Sequence, residues 1–316
     1  MKILITGAAG NLGSLLARSL LQESTHTLNL MYHTASLAQD LLNDERTHTF
    51  QCDLGNITSL QEVCEASDVI VHFAGVLFAP QPEKFLHKTN FEYAKNLIDA
   101  AITAKVKRFV LISFPHVEGP TSQKNPCTNQ QDKNPISAHA TTRLKAEKYL
   151  FEACQSSAMQ PISLRAGMIY GKDILMVAFA KKLALIWLLG IWRKPTAIHL
   201  LSIDDFLACC KSAIENPHAS GIYPLGDDAP ITLQNFLDEA CQKWRCKKPW
   251  RVPLWSVYTV AWLCERFAQL FATKTPFTKD LIKIGSVPYY CNTQRMKEDL
   301  LPKLKYPSFH LGKDII

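Results

Sequence analysis

The stretch Thr6-Gly7-Ala8-Ala9-Gly10-Asn11-Leu12-Gly13 constrains this chain more than any other. It follows a short apolar run, Lys2–Thr6, and opens a segment, Leu12–Gln22, whose apolar residues recur at helical spacing. In a strand–turn–helix setting, glycines let the backbone turn tightly and come close to a ligand. The N–H groups of the first helical turn have no partners inside the helix, and the helix dipole favours negative charge there. A diphosphate is the ligand such a turn suits. The competing reading is a glycine-rich turn with no ligand, and the position of this one at the head of an alternating chain argues against it.

The alternation continues. Strands are predicted at Thr27–Tyr32, Thr47–Cys52, Val69–Phe73, Arg108–Ser113 and Pro161–Arg165. Helices are predicted at Leu37–Leu42, Leu60–Cys64, Asn90–Ala104 and Ala140–Ser156. Val69–Phe73 is apolar almost throughout, as a strand covered on both faces must be. The expected fold class is therefore α/β, a Rossmann-type doubly wound parallel sheet with right-handed crossovers. After Gly171 the rhythm changes: a helical stretch over Ile174–Trp192, a strand at Leu200–Ile203, a helix at Phe206–Ile214, a strand at Gly221–Leu225 and a helix at Leu233–Trp244. This divides the chain into a dinucleotide-binding domain, 1–171, and a smaller substrate-binding region, 172–316, of which about 197–230 returns to the sheet. The polar loop Glu118–Ile136 is expected to be exposed and mobile.

The uncharged stretches Leu183–Trp192 and Val252–Cys264 are too short to span a bilayer, which needs roughly 18 apolar residues. Ten cysteines without a C-x-x-C pair fit free thiols in a reducing compartment, and a cytoplasmic location is expected. No metal-ligand spacing is present. The net charge is +7, yet Cys241–Ile316 holds 14 Lys/Arg against 5 Asp/Glu. Such a basic end fits an anionic substrate or surface as well as a solvated face with no partner. Within it, Lys243–Arg251 mixes cations with tryptophans and could grip a nucleotide diphosphate. Val252–Phe271 reads first as a core helix; an apolar surface beside the basic patch, touching a membrane peripherally, is the minority reading. No nucleic-acid-binding fold is visible. A homodimer is admitted by the sequence.

The spacing Gly-x-x-Gly-x-x-Gly after Thr6 resembles the short-chain dehydrogenase/reductase superfamily, in its extended, epimerase/dehydratase-like form. Further stretches resemble that family in order: Cys52-Asp53-Leu54, Asp68–Gly75, Thr89-Asn90 through Leu97, Leu164–Gly171, and Ser202–Phe206. The resemblance covers about the first 230 residues and implies an NAD(P)-binding oxidoreductase or epimerase/dehydratase-like protein. Its substrate would be a small organic molecule with a hydroxyl or carbonyl. Carried over residue by residue, cofactor binding would fall to Thr6, Gly7, Gly10, Asn11, Leu12, Gly13, His33, Asp53, Leu54, Phe73, Ala74, Gly75, Asn90, Lys145, Ala166 and Met168. About 20 residues past the last glycine the family carries an acid that holds the adenosine ribose. Here His33 stands there, among Tyr32, Thr34 and Ser36. With no carboxylate to repel a 2′-phosphate, both NAD and NADP are admitted and NADP is mildly favoured.

In this family a Tyr and a Lys stand four residues apart on one helical face, and a Ser ends the fifth strand. Lys145 matches the Lys by its surroundings, Leu144-Lys145-Ala146-Glu147, which puts Thr141 in the Tyr position. A threonine hydroxyl is far less acidic than a phenol and cannot simply replace it. Counting back from Gly119 puts Phe114 in the Ser position, with Ser113 one residue short. The candidate catalytic residues are thus Lys145, Thr141 and Ser113, with His116 and His139 as substitutes that titrate near neutrality. Two readings stay open: a reductase with altered acid–base groups, similar to quinone reductase-like members, and a sensor without turnover, similar to the NmrA-like regulators.

Overall fold

The structure is a computed structural model that describes residues 1–76, 81–271, 273, 275 and 277–316. Seven strands form the central sheet: β1 (Lys2–Thr6), β2 (Thr27–Tyr32), β3 (Thr47–Gln51), β4 (Val69–His72), β5 (Arg108–Ser113), β6 (Gln160–Ala166) and β11 (Gly221–Leu225). All pairings are parallel and the order is β3-β2-β1-β4-β5-β6-β11. The order reverses between β1 and β4, and in such sheets ligands sit beyond the strand ends at that point. Ile5 pairs with Leu30 on one side and Val71 on the other, so both neighbours of β1 are apolar.

Helices α1 (Asn11–Glu23), α2 (Gln39–Leu42), α3 (Ile57–Glu65), α4 (Tyr93–Thr103), α5 (Ala138–Cys154) and α7 (Ile203–Glu215) cover the two faces. Side chains alternate along β1: Ile3 and Ile5 enter one core, with Leu16, Leu20 and Phe206, while Leu4 enters the other, with Leu97 and Phe109. The remaining chain builds small strand pairs: β7 (Met168–Tyr170) with β10 (Leu200–Ser202), β8 (Gly190–Trp192) with β13 (Trp250–Val252), and β9 (Ala197–Ile198) with β12 (Ile231–Thr232). Helices α6 (Leu175–Leu185), α8 (Leu233–Lys243), α9 (Leu254–Leu270), α10 (Lys279–Gly285) and α11 (Phe309–Gly312) complete it. No helix among the described residues is long and apolar enough to cross a membrane.

Three expectations need correction. The stretch Ile174–Trp192 is not one helix: α6 ends at Leu185, Trp187 takes a left-handed φ of 60°, and the chain re-enters as β8. Pairing with β13, far along the chain, outweighs the local helical pattern. The helix expected from Asn90 is preceded by a π-helical turn, His87–Glu92, of the kind that re-aims a side chain at a functional site. The polar loop after β5 is exposed over much of its length but is pinned at internal points: Glu118 and Cys127 are buried, and the Gln130 carbonyl accepts from Arg165 at 2.9 Å.

Candidate active site

The glycine turn is built as its spacing requires. Gly7 has a φ of 72°, and a Cβ on it would meet the Ala74 nitrogen at 3.0 Å. A Cβ on Gly10 would lie 3.0 Å from the Gly7 oxygen, and one on Gly13 only 2.5 Å from it. The turn is thereby folded close against the end of β4, leaving a cradle at the N-terminus of α1. Thr6 Oγ1 lies 2.7 Å from His72 Nδ1 and accepts from the Ala74 N–H at 3.4 Å, tying β1 to β4 at the switch point. Burial pushes the His72 pKa down to about 3, so this link is a neutral one. Asn11 is engaged elsewhere: its Nδ2 donates to the Asp173 carbonyl at 2.7 Å and its Oδ1 accepts from Leu175 N at 3.1 Å. It fastens the turn to α6. Leu12 packs partly into the core, and Phe73 meets Phe206 edge-on.

At the far side of the cradle, His33 Nε2 lies 3.8 Å from Asp53 Oδ2, and both side chains are exposed. The carboxylate absent from the end of β2 in sequence is thus supplied nearby by the end of β3. Asp53 Oδ1 also accepts from Gly55 N at 2.8 Å, and the Leu54 carbonyl accepts from Asn96 at 3.1 Å.

Helix α5 carries the candidate groups on two different faces. Lys145 is exposed, and Thr141 Oγ1 donates to the Ser137 carbonyl at 2.9 Å, one turn back. The inward face carries His139, Arg143 and Glu147 instead, each buried and each one helical turn from the next. Glu147 sets this phase. Its Oε2 accepts from Ser163 Oγ at 2.7 Å and Arg165 Nε at 3.1 Å, and its Oε1 pairs with Arg165 Nη2. Arg165 also pairs with Glu118, so one fully buried guanidinium joins β6, α5 and the loop after β5. The dense contacts and opposed charges hold the helix in one rotation.

Arg143 therefore points at the switch point. Its Nη2 lies where a Cβ on Gly75 would be 2.9 Å away, beside Asn90. Its Nε and Nη1 are buried without a hydrogen-bond partner, and burial lowers its pKa to about 10. It remains charged at neutral pH. Asn90 holds the segment after β4: its Oδ1 accepts from Val76 N at 2.9 Å, and its Nδ2 donates to the Val76 carbonyl at 3.0 Å. The same Nδ2 lies 3.3 Å from His139 Nδ1.

His139 stacks on Phe114 with ring centroids 5.0 Å apart, and Phe114 in turn touches His116 at 5.7 Å. Burial, with Arg143 and His116 adding to it, lowers the His139 pKa to about 3. Burial lowers that of His116 to about 4, opposed by the Val287 and Ile284 carbonyls, though neither ring nitrogen makes a well-formed hydrogen bond. Both imidazoles are neutral at physiological pH. Ser113 ends β5 with its Oγ buried and unpartnered, and the next residue, Phe114, presents a ring to the imidazoles. Tyr289 closes the far side, its ring 4.5 Å from His116; its hydroxyl donates to the His199 carbonyl and accepts from Met168 N at 2.9 Å. Met168 N is thus occupied, while Ala166 is buried at the end of β6. Sequence reasoning missed Arg143 and Tyr289. The repeated four-residue step His139–Arg143–Glu147, with Arg165 to hold its last member, was the signal for Arg143.

Residues 3–221 match the model of the NAD dependent epimerase/dehydratase family. The chain belongs to that family. It is 23% identical over 286 residues to a UDP-glucose 4-epimerase of Vibrio cholerae, covering 85% of this chain and 82% of that one. It is 22% identical over 273 residues to the protein CapI of Staphylococcus aureus, covering 75% and 82%. Among solved structures it resembles the UDP-glucuronic acid 4-epimerase from Bacillus cereus in complex with UDP-glucuronic acid and NAD. That match has a TM-score of 0.78 at 18% identity, over 100% of this chain and 97% of that one. The Bordetella bronchiseptica enzyme WbmG in complex with NAD matches with a TM-score of 0.76 at 18% identity, over 100% and 91%. At these identities the structural likeness establishes the extended dehydrogenase fold.

Proposed function

We propose that this family member binds a nicotinamide dinucleotide between the glycine turn and Arg143, and acts on a hydroxyl or carbonyl of a small organic substrate. The observation that carries the reading is Arg143, a buried cation whose Nη2 reaches the strand switch point beside Gly75 and whose Nε and Nη1 have no partner. Buried charge without a partner is costly, so such a group is retained for something that pairs with it. The glycine cradle fits the diphosphate, and Arg143 fits the sugar hydroxyls beside it, on a segment that Asn90 holds in place. When bound, the dinucleotide supplies a hydride donor or acceptor.

His139 stands one turn before Arg143, where a Tyr precedes a Lys in typical members. Its imidazole is held neutral by burial, with Arg143 adding to it, and stacks on the Phe114 ring. It is suited to giving a hydrogen bond to a carbonyl oxygen and ill suited to holding a full extra proton. Acceptors that draw their final proton from water, such as quinones and conjugated carbonyls, match this chemistry best. The substrate region is taken as 172–316, and a UDP-linked sugar is the first substrate class to try. Both NAD and NADP are admitted. NADP is mildly favoured because the end of β2 carries His33 and no carboxylate, although Asp53 lies 3.8 Å from His33.

A specific observation also favours the sensor reading: Phe114 puts an apolar ring where typical members carry a hydroxyl. Calorimetry with the four nicotinamide dinucleotides, followed by turnover assays with quinones, enones and UDP-sugars, separates the two. Turnover lost in His139→Phe with binding intact supports the enzyme. Tight binding with no turnover on any substrate supports the sensor, and no binding removes both.

A further inference from the structure

We propose that this protein docks on the surface of an anionic lipid bilayer through the outward face of α9 and the turn that follows α6. Helix α9 buries a stripe of small and medium side chains, Val257, Ala261, Glu265 and Ala268. A surface helix should then be polar on its opposite side. Here that side carries Trp255 at 70%, Phe267 at 60% and Leu270 at 79% exposure, with Val260 and Leu263 between them. The expected core helix is thus a surface helix with its largest apolar groups in water, and lone exposed hydrophobics are common but a contiguous face of them is not.

The face extends beyond α9. Pro253 joins α9 to β13, and β13 pairs with β8 just after the turn Leu185–Leu188. All four residues of that turn are exposed. The Trp250 indole N–H donates to the Trp187 carbonyl at 2.9 Å, bringing two exposed tryptophans together. Tryptophans at this kind of boundary suit the headgroup level, one side apolar and one wet.

The charges choose the occupant. Between Ile174 and Trp192, and between Trp244 and Phe271, the sequence holds a single carboxylate, Glu265. It is buried, and its Oε2 lies 3.5 Å from Lys279 Nζ. Lys182, Arg245 and Lys247 are exposed cations, and Lys247 Nζ sits 3.4 Å over the Trp187 ring. Lys248 and Arg251 are partly neutralised by Asp238. Arg266 reaches out beside Trp262, as long cationic side chains do at an interface. An apolar face ringed by cations complements anionic headgroups over acyl chains. A second copy seated two-fold on this face would set like charges against each other. The helix has 17 residues and no described helix can span a bilayer, so α9 lies along the surface.

The test is flotation of the full chain with vesicles of pure phosphatidylcholine and of phosphatidylcholine with 30–40% phosphatidylglycerol, roughly the anionic content of a charged bilayer. Binding to the anionic vesicles, reversed by high salt, is expected. Phe267→Glu with Leu270→Glu should abolish it, while Lys182→Glu, Lys247→Glu and Lys248→Glu together should weaken it on the order of a hundredfold. Circular dichroism and thermal melting, which these surface changes leave alone, report that the variants fold. Equal binding to both vesicle types overturns the proposal, as does no binding. A concentration-dependent dimer that the Phe267 and Leu270 changes dissociate, without vesicle binding, assigns the face to a second copy instead.

Discussion

Replacing Arg143 by Met should make the free protein more stable and a worse dinucleotide binder. Arg143 is 5% exposed, and its Nε and Nη1 find no partner. Burying such a group costs about 1–3 kcal/mol, which the methionine, of similar length and apolar, recovers. In a chain of this size about 2 °C of Tm accompanies each kcal/mol, so Tm of the free protein should rise by roughly 2–6 °C. The same guanidinium, given hydrogen-bonding oxygens to meet, would contribute about 1.5–3 kcal/mol to binding, so Kd should rise on the order of 10- to 100-fold. Ligand then narrows the gap, and reverses it where the free-state gain is below about 1.8 kcal/mol. At a dinucleotide concentration of about 100 times the native Kd, the native protein gains about 2.7 kcal/mol, and a variant weakened roughly 30-fold gains about 0.9. Differential scanning calorimetry with and without NAD and NADP reads both halves. A variant that melts lower than the native protein when free, and binds dinucleotide unchanged, would refute the reasoning, because Arg143 would then be a structural cation.

Gly13→Ala puts a methyl group 2.5 Å from the Gly7 oxygen, so the turn must open; dinucleotide affinity by calorimetry should fall more than about tenfold. Glu147→Gln leaves Arg165 with one carboxylate partner in place of two and frees α5 to rotate; urea unfolding should show a loss of about 3 kcal/mol, and a loss below about 1 would mean the network does not hold the helix. His72, His116, His139 and His199 have pKa values lowered by burial to about 3, 4, 3 and 4. The unfolded chain binds their protons first, so stability is complete above about pH 6.5 and falls as pH drops towards 4. Asp227 runs the other way: burial raises its pKa to about 7, so its share of stability is present below about pH 4 and lost as pH rises through 7. Chemical denaturation from pH 4 to 8 should show the histidine slope, and Asp227→Asn should raise stability at pH 8.

The succession of strands and helices along the chain, the glycine turn and the sheet's parallel sense were legible because each depends on neighbours in sequence. Lys2–Thr6, Thr27–Tyr32, Arg108–Ser113 and Gly221–Leu225 are strands with the bounds their apolar runs give. Local periodicity misled where distant pairing decided, as at Gly190–Trp192, which left its helical pattern to join β13. In Val252–Phe271 the helix was legible, but which side met the core was not, since both sides are apolar.

The same division runs through the candidate site. The family resemblance implied a helix after β5 with paired groups four residues apart, and α5 offers two such pairs, Thr141 with Lys145 and His139 with Arg143. Nothing local separates them, because the buried face of α5 is itself polar, with His139, Thr142, Arg143 and Glu147 turned inward. The choice is made by Arg165 on β6, whose buried guanidinium holds Glu147 and thereby fixes the helix's rotation. A charge that must be paired once it leaves water reaches across the fold for its partner, and only the tertiary structure says where that partner is.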